Sequence, residues 1–190
     1  MGQAGGGIIS EVLPDSIGEE IGIEPGDVLV SINGHLLRDQ IDYRFYGAEE
    51  TLIMVVERAG ERHTIEIERD YDEHLGLVFA EPVFDGMRQC QNQCPFCFVR
   101  QMPRGMRRSL YLRDDDYRYS FLLGNFITLT NLQESDWQRL GEQRLSPLYV
   151  SIHATDLASR RLLLGNPGAP DIVAQLHRLG RMGIRVHCQI

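Results

Sequence analysis

Short apolar runs of strand length, broken by glycine, proline and asparagine turns, fill the first part of the chain. Ile8–Val12 and Val28–Ile32 read as strands, the second closed by the turn pair Asn33-Gly34. Between them Ser16–Ile21 reads as a short helix ending at Gly22, and Pro25-Gly26-Asp27 as a tight turn. A helix around Asp39–Tyr46 leads into two alternating runs, Thr51–Glu57 and His63–Glu68, which predict a hairpin joined through Ala59-Gly60. Together these elements predict a small, mostly β module over residues 1–72.

From Phe79 onward strand-like and helix-like pieces alternate. Val83–Met87, Phe126–Thr130, Leu148–Ile152 and Ile184–Ile190 read as four strands. Asn131 followed by Glu134 predicts a capping box that opens a helix through Gln143. Asp156 predicts a second helix start, Pro170 a first helical turn, and Gly183 the helix end before the last strand. Strand, helix, strand in repetition implies a parallel sheet with crossover helices, so the chain is α/β, with a second domain over residues 73–190. The sequence stops inside a predicted strand at Ile190, which predicts that further βα units belong to the fold and that Cys188 is a buried strand cysteine awaiting neighbours.

Composition narrows the chemistry. The 190 residues are 43% hydrophobic and 24% charged, as expected of globular material. No apolar run approaches the roughly 20 residues needed to span a bilayer, and no hydrophobic signal segment precedes Ser10, so the expectation is a cytoplasmic protein without a membrane partner. All 19 basic residues are arginine, which excludes a lysine Schiff base and a Walker-type phosphate loop. Residues 1–80 carry 17 acidic and 5 arginine side chains, whereas residues 81–190 carry 10 and 14. That change of sign supports a domain boundary near Glu81.

Three of the four cysteines, Cys90, Cys94 and Cys97, fall within the loop Cys90-Gln-Asn-Gln-Cys94-Pro-Phe-Cys97. Three thiolates are one short of a closed tetrahedral zinc site or a fully ligated cubane, so a [4Fe–4S] cluster held here keeps one iron open. A structural zinc, with Cys188 or a histidine as fourth ligand, and two disulfides remain alternatives. No second ligand pair follows at the distance usual in zinc ribbons, and cysteines this close would form strained loops.

The CxxxCxxC spacing with Phe96 before the last cysteine resembles the signature of the radical S-adenosylmethionine (SAM) superfamily. The string Gly7–Ser16, continued by Gly22–Gly34 with its Gly26-Asp27-x-Leu29-x-x-Ile32-Asn33-Gly34 core, resembles a PDZ domain of the bacterial type. Over residues 84–166, through Phe84-Asp85-Gly86, Phe98–Arg107, Asp114–Arg118, Gly124–Asn131 and Leu145–Asp156, the chain resembles one bacterial family. Its members are iron–sulfur, radical-SAM-like proteins with an N-terminal PDZ-like domain and a C-terminal domain of unknown function. The resemblance implies a PDZ-like module followed by the first part of a partial (β/α) radical SAM barrel. It further implies Cys90, Cys94 and Cys97 as cluster ligands, and Phe96 beside the adenine of SAM. Thr128, Thr130 and Asn131 fall near the SAM amino group, and Ser151 and His153 near the reacting centre. In this superfamily an electron from the reduced cluster splits the SAM sulfonium to give a 5′-deoxyadenosyl radical. The glycine-glycine-glutamate string common at the second strand of such enzymes is replaced here by Thr128-Leu129-Thr130-Asn131.

The implied function is a radical SAM-type enzyme, an oxidoreductase or transferase acting on an unidentified substrate, with ferredoxin or flavodoxin as candidate electron donor. The alternative is a PDZ-type peptide-binding or scaffold protein with a structural iron–sulfur or zinc site. PDZ domains usually hold the peptide carboxylate with a Gly-Leu-Gly-Phe loop, and the near match Leu75-Gly76-Leu77-Val78-Phe79 follows the hairpin instead. His153 suits proton transfer because its ordinary pKa lies near neutrality. Asp114-Asp115-Asp116 reads as a solvated turn or an arginine partner before a cation site. For Arg100, Arg104, Arg107, Arg108 and Arg113, pairing with those aspartates and contact with a phosphate or carboxylate of the substrate are both open. Five arginines on one loop of an acidic chain are too few to argue nucleic-acid binding.

Overall fold

A computed structural model describes residues 5–70 and 72–190; residues 1–4 and Tyr71, which the expected first module includes, lie outside the described residues. The chain divides into two compact units, 1–86 and 87–190.

In the first unit, strands β1 (Gly7–Val12), β2 (Val28–Ile32), β3 (His35–Leu36), β4 (Thr51–Arg58), β5 (Glu61–Glu68) and β6 (Leu77–Phe79) form an antiparallel sheet. Its order is β5-β4-β2-β1-β6, with β3 against β2. Alternation sets the inner face: Leu52, Met54 and Val56 of β4 point inward to Ile9, Leu29 and Ile32, while Thr51 and Ile53 face out. Each buried aliphatic of this kind is worth roughly 1.5–3 kcal/mol. Asn33 and Gly34 (φ 50° and 78°) and Ala59 and Gly60 (φ 53° and 84°) supply the paired left-handed residues of two tight hairpin turns. Helix α1 (Ile17–Glu20) starts at Ser16, and α2 (Gln40–Tyr46) at the buried Asp39, whose carboxylate accepts from the amides of Ile41 and Asp42. Arg58 grips Asp27 with two nitrogens at 2.7 and 2.6 Å. That grip holds the Asp27 carboxyl below the usual range and fixes the turn before β2. Because β6 pairs with β1, this unit runs past the expected module end at residue 72.

In the second unit α3 (Tyr117–Leu123), α4 (Glu134–Glu142), β7 (Leu148–Ser151), α5 (Leu157–Leu164), α6 (Ile172–Arg181) and β8 (Val186–Gln189) follow in order. Strands β7 and β8 are parallel and in register from Leu148–Val186 to Ser151–Gln189, joined through α5 and α6. Asp156 caps α5, and Gly183 (φ 73°) closes the turn after α6, as the sequence predicts.

Five expectations are corrected. Val83–Met87 is not a strand: Val83 makes one isolated bridge to Asp39, and Gly86 turns the chain at φ 91°. Phe126–Thr130 keeps only the parallel bridge Ile127–Val150, because Leu129 takes φ 58°. The Thr128 and Leu129 carbonyls then go to Arg160 and Gln175 rather than to a neighbouring strand. Helix α4 is capped by Gln133, not Asn131, with the Asp136 carboxylate taking the Gln133 amide at 2.7 Å. Pro170 precedes the α6 cap Asp171 instead of filling the first turn. Cys188 is exposed rather than buried, since β8 pairs on one side only among the described residues. No helix among the described residues is long and apolar enough to cross a membrane.

Candidate functional site

The cysteine loop has no helix or strand of its own between Cys90 and Cys97, so its shape comes from its anchors. Its entry is fixed by the bridge Gln89–Asp114 and by the Cys90 amide on the Arg113 carbonyl at 2.7 Å. Its middle is fixed at the end of α5, where the Leu164 carbonyl accepts from the Gln93 amide at 2.8 Å and faces Cys94 Sγ at 3.7 Å. Gly165 ends that helix at φ 56°, and a Cβ there would lie 2.6 Å from the Gln93 carbonyl oxygen. Only glycine allows both the left-handed cap and the close passage of the loop. The exit turns through the Cys97 amide on the Cys94 carbonyl at 3.2 Å.

Beneath the loop lies a buried polar network centred on Asn92, which is 1% exposed. Its Nδ2 donates to Thr128 Oγ1 at 2.8 Å, and its Oδ1 accepts from Asn166 Nδ2 at 2.8 Å and from Thr130 Oγ1 at 3.2 Å. Asp115 closes the network, accepting from the Thr128 amide at 2.5 Å, Thr128 Oγ1 at 2.7 Å and Thr130 Oγ1 at 3.1 Å. Burial holds the Asp115 carboxyl above the usual range, against these bonds. Thr128 and Thr130, expected beside a cofactor amino group, therefore direct their hydroxyls into the support of the cysteine loop. Asn131 differs: its buried Oδ1 has no hydrogen-bond partner among the described residues.

Ser151 and His153 stand at the carboxyl end of β7, with Ser151 buried and its amide on the Ile127 carbonyl at 2.8 Å. His153, at φ 63°, meets the Phe96 ring with centroids 5.0 Å apart, so the loop and the strand end come together here. Burial, and after it the charge of Arg160, holds the His153 pKa below its ordinary value, leaving the imidazole neutral at pH 7. Arg160 is fully buried and, among the described residues, bonds carbonyls only: Thr128 at 2.7 Å, Ile152 at 3.1 Å and Pro170 at 3.4 Å. It ties the Thr128 and β7 ends together. Sequence reading passed over it because an arginine on an amphipathic helix carries no mark of burial.

The aspartate triplet divides three ways: of the expected solvated turn or arginine partner, burial of Asp115 and Asp116 overturns the first and Asp116 fulfils the second. Asp114 accepts from Asn125, Asp115 supports the loop, and Asp116 caps α3 while pairing with the buried Arg118 at 2.7 Å.

All three cysteines are partly buried. Burial pushes the Cys90 thiol up, and for Cys94 burial is reinforced by the negative charge of Cys90 and Cys97. Three thiols on one loop form a soft donor set that a metal cation would complete, and its binding would release protons. As placed, no three His, Cys, Asp or Glu side chains among the described residues are arranged to hold a metal ion. The chemistry of the donor set fits an iron–sulfur cluster.

An antiparallel β module followed by a parallel β/α unit with a cysteine loop at its strand ends defines a two-part α/β protein. A family model described as a Radical SAM-like domain matches residues 69–190, and a PDZ domain model matches residues 8–58. The chain belongs to the Radical SAM-like domain family, with a PDZ domain match ahead of it. A comparison with curated proteins gives no match.

Proposed function

We propose that Cys90, Cys94 and Cys97 hold a [4Fe–4S] cluster and that the protein is a radical SAM-type enzyme. The observation that carries this reading is the loop itself: three partly buried thiols held against the strand ends by the Asn92 network, inside the matched family domain. When bound and reduced, such a cluster supplies the electron that cleaves the sulfonium of SAM. The residues around it have assignable tasks. Asn131 offers its unpartnered Oδ1 to the amino group of SAM. Phe96 presents an apolar face for the adenine, and neutral His153 beside it can take a proton from the substrate. Ser151 lies one step behind, at the same strand end. The reading favours a reducing compartment, the cytoplasm, and a small electron carrier such as ferredoxin or flavodoxin.

The test is anaerobic: the full chain loaded with iron and sulfide, reduced, and given SAM should release 5′-deoxyadenosine or methionine. Cys90→Ala, Cys94→Ala and Cys97→Ala should each abolish it. Loaded wild-type protein that releases neither product would sink the proposal.

For the first unit we favour a scaffold over a peptide-binding module. A PDZ-type ligand would add to the free edge of β6. There the Tyr43 ring of α2 lies edge-on to Phe79 with centroids 4.9 Å apart, and the Leu77 amide bonds the Tyr43 hydroxyl. The acidic excess of residues 1–80 also disfavours a peptide carboxylate.

A further inference from the structure

Beside the cysteine loop, and on the side of Cys90, lies a cavity of about 580 Å³. That size falls in the range of small-molecule sites, roughly 300–1,000 Å³. Arg100, Arg104 and Arg113 all line it, together with Cys90. The chain has 27 carboxylates for 19 arginines, and several guanidinium groups elsewhere find them: Arg38 with Asp42, Arg58 with Asp27, Arg88 with Asp136, Arg118 with Asp116. Around this cavity they do not. Among the described residues Arg100 and Arg104 bond no carboxylate, and Arg113 reaches only the Asn92 carbonyl, at 3.3 Å. The aspartate triplet, the nearest source of negative charge in sequence, is engaged by Asn125, Thr128, Thr130 and Arg118.

The arginines are also presented on a shaped segment. Tyr111 lines the cavity, donates its hydroxyl proton to the Pro103 carbonyl and accepts from the Met106 amide at 2.9 Å, closing the turn that carries Arg104. Short 3₁₀ segments at Val99–Gln101 and Arg108–Tyr111 flank that turn. Guanidinium forks match phosphate oxygens in pairs, and three of them around one space attract a multiply charged anion.

We propose that this cavity is an anion site that takes a phosphate ester or diphosphate group of a small molecule. That the molecule is the substrate rests on the cluster reading above, because the cavity borders Cys90; that the cavity takes a phosphate group does not. A nucleic acid is disfavoured: three arginines around one concave space on a chain of net charge −8 make no stripe along which a backbone could run.

The experiment is calorimetric titration of the full chain with inorganic pyrophosphate, in metal-free and iron-loaded samples of measured metal content. Citrate and a single-stranded oligonucleotide serve as comparison probes. Saturable pyrophosphate binding is expected in both samples. Arg100→Gln and Arg104→Gln should each weaken it about tenfold or more, as loss of a charge-assisted contact implies. Arg107→Gln, with the same change of charge outside the cavity lining, should alter it less than about twofold. Absence of saturable binding, equal loss in Arg107→Gln, a response to citrate alone, or tighter binding of the oligonucleotide would each overturn the assignment. Because the metal-free sample answers the cavity question and the metal content answers the cluster question, failure of one is separable from failure of the other.

Discussion

Replacing Arg160 by methionine tests how the strand ends beneath the cysteine loop are held. Methionine keeps an unbranched apolar stem, so the change removes the guanidinium while leaving most of the packing. Three bonds go: to the carbonyls of Thr128 at 2.7 Å, Ile152 at 3.1 Å and Pro170 at 3.4 Å. Ile152 keeps a second donor, the Ala154 amide at 2.8 Å, whereas the Thr128 carbonyl relies on Arg160 among the described residues. One orphaned buried carbonyl costs about 1–3 kcal/mol, and each charge-assisted bond contributes about 1.5–3 kcal/mol. Relief from burying an unpaired cation offsets part of that sum. The expected net loss is about 2–4 kcal/mol, or roughly thirtyfold to a thousandfold in the local opening equilibrium. A chain of two compact units has no single unfolding transition, so the assay is hydrogen exchange of peptides covering 126–131 and 150–155. A second readout is the His153 imidazole by NMR titration. Its pKa should rise when the Arg160 charge is removed, yet stay below the ordinary value because burial is the larger cause. Opening that changes less than about threefold, or a His153 pKa that does not move, would refute the reasoning.

Other predictions follow from the same contacts. Gly165→Ala forces an alanine into the left-handed region at about 1–2 kcal/mol and drives its Cβ against Gln93, so exchange across 90–97 should rise. Gly183→Ala, with similar φ but open space, should leave exchange across 90–97 unchanged. Since His153 titrates lower in the folded chain, the unfolded state binds the proton more readily, and stability should fall as pH drops below about 6.5. His153→Gln should flatten that pH dependence in the protection of peptide 150–155, followed by hydrogen exchange between pH 7.5 and 5.5 and corrected for intrinsic exchange, and an unchanged slope would count against a buried neutral imidazole. Tyr43→Ala should destabilise the first unit by about 3 kcal/mol in a denaturant series. Wild-type protein should enrich no C-terminal peptide motif in a display screen, and a reproducible motif would overturn the scaffold reading.

What the sequence made legible was local and covalent. Asn33-Gly34 and Ala59-Gly60 announce their turns because few residue pairs accept positive φ, and Ser16, Asp39 and Asp156 announce helix starts through a side chain that acts on its own backbone. The cysteine loop was visible because spacing alone brings three thiols onto one segment. The strand expected at Phe126–Thr130 failed for a non-local reason: its Thr128 and Leu129 carbonyls are claimed by Arg160 and Gln175, which lie far along the chain. Asp114, Asp115 and Asp116 read as one acidic run, yet each faces a different partner, and only tertiary structure separates a surface ligand from a buried support and a helix cap. The same holds for Arg100 and Arg104, whose lack of carboxylate partners among the described residues could not be read until those aspartates were placed.

The most direct test of the central claim is iron, sulfide and zinc content of the anaerobically loaded chain, with low-temperature EPR of the reduced protein before and after SAM is added. The account predicts four irons and four sulfides per chain as an order of content for a single cubane, about one cluster, with a signal that shifts when SAM is present and is absent from Cys94→Ala. Zinc without iron, or a cluster signal indifferent to SAM, would contradict it.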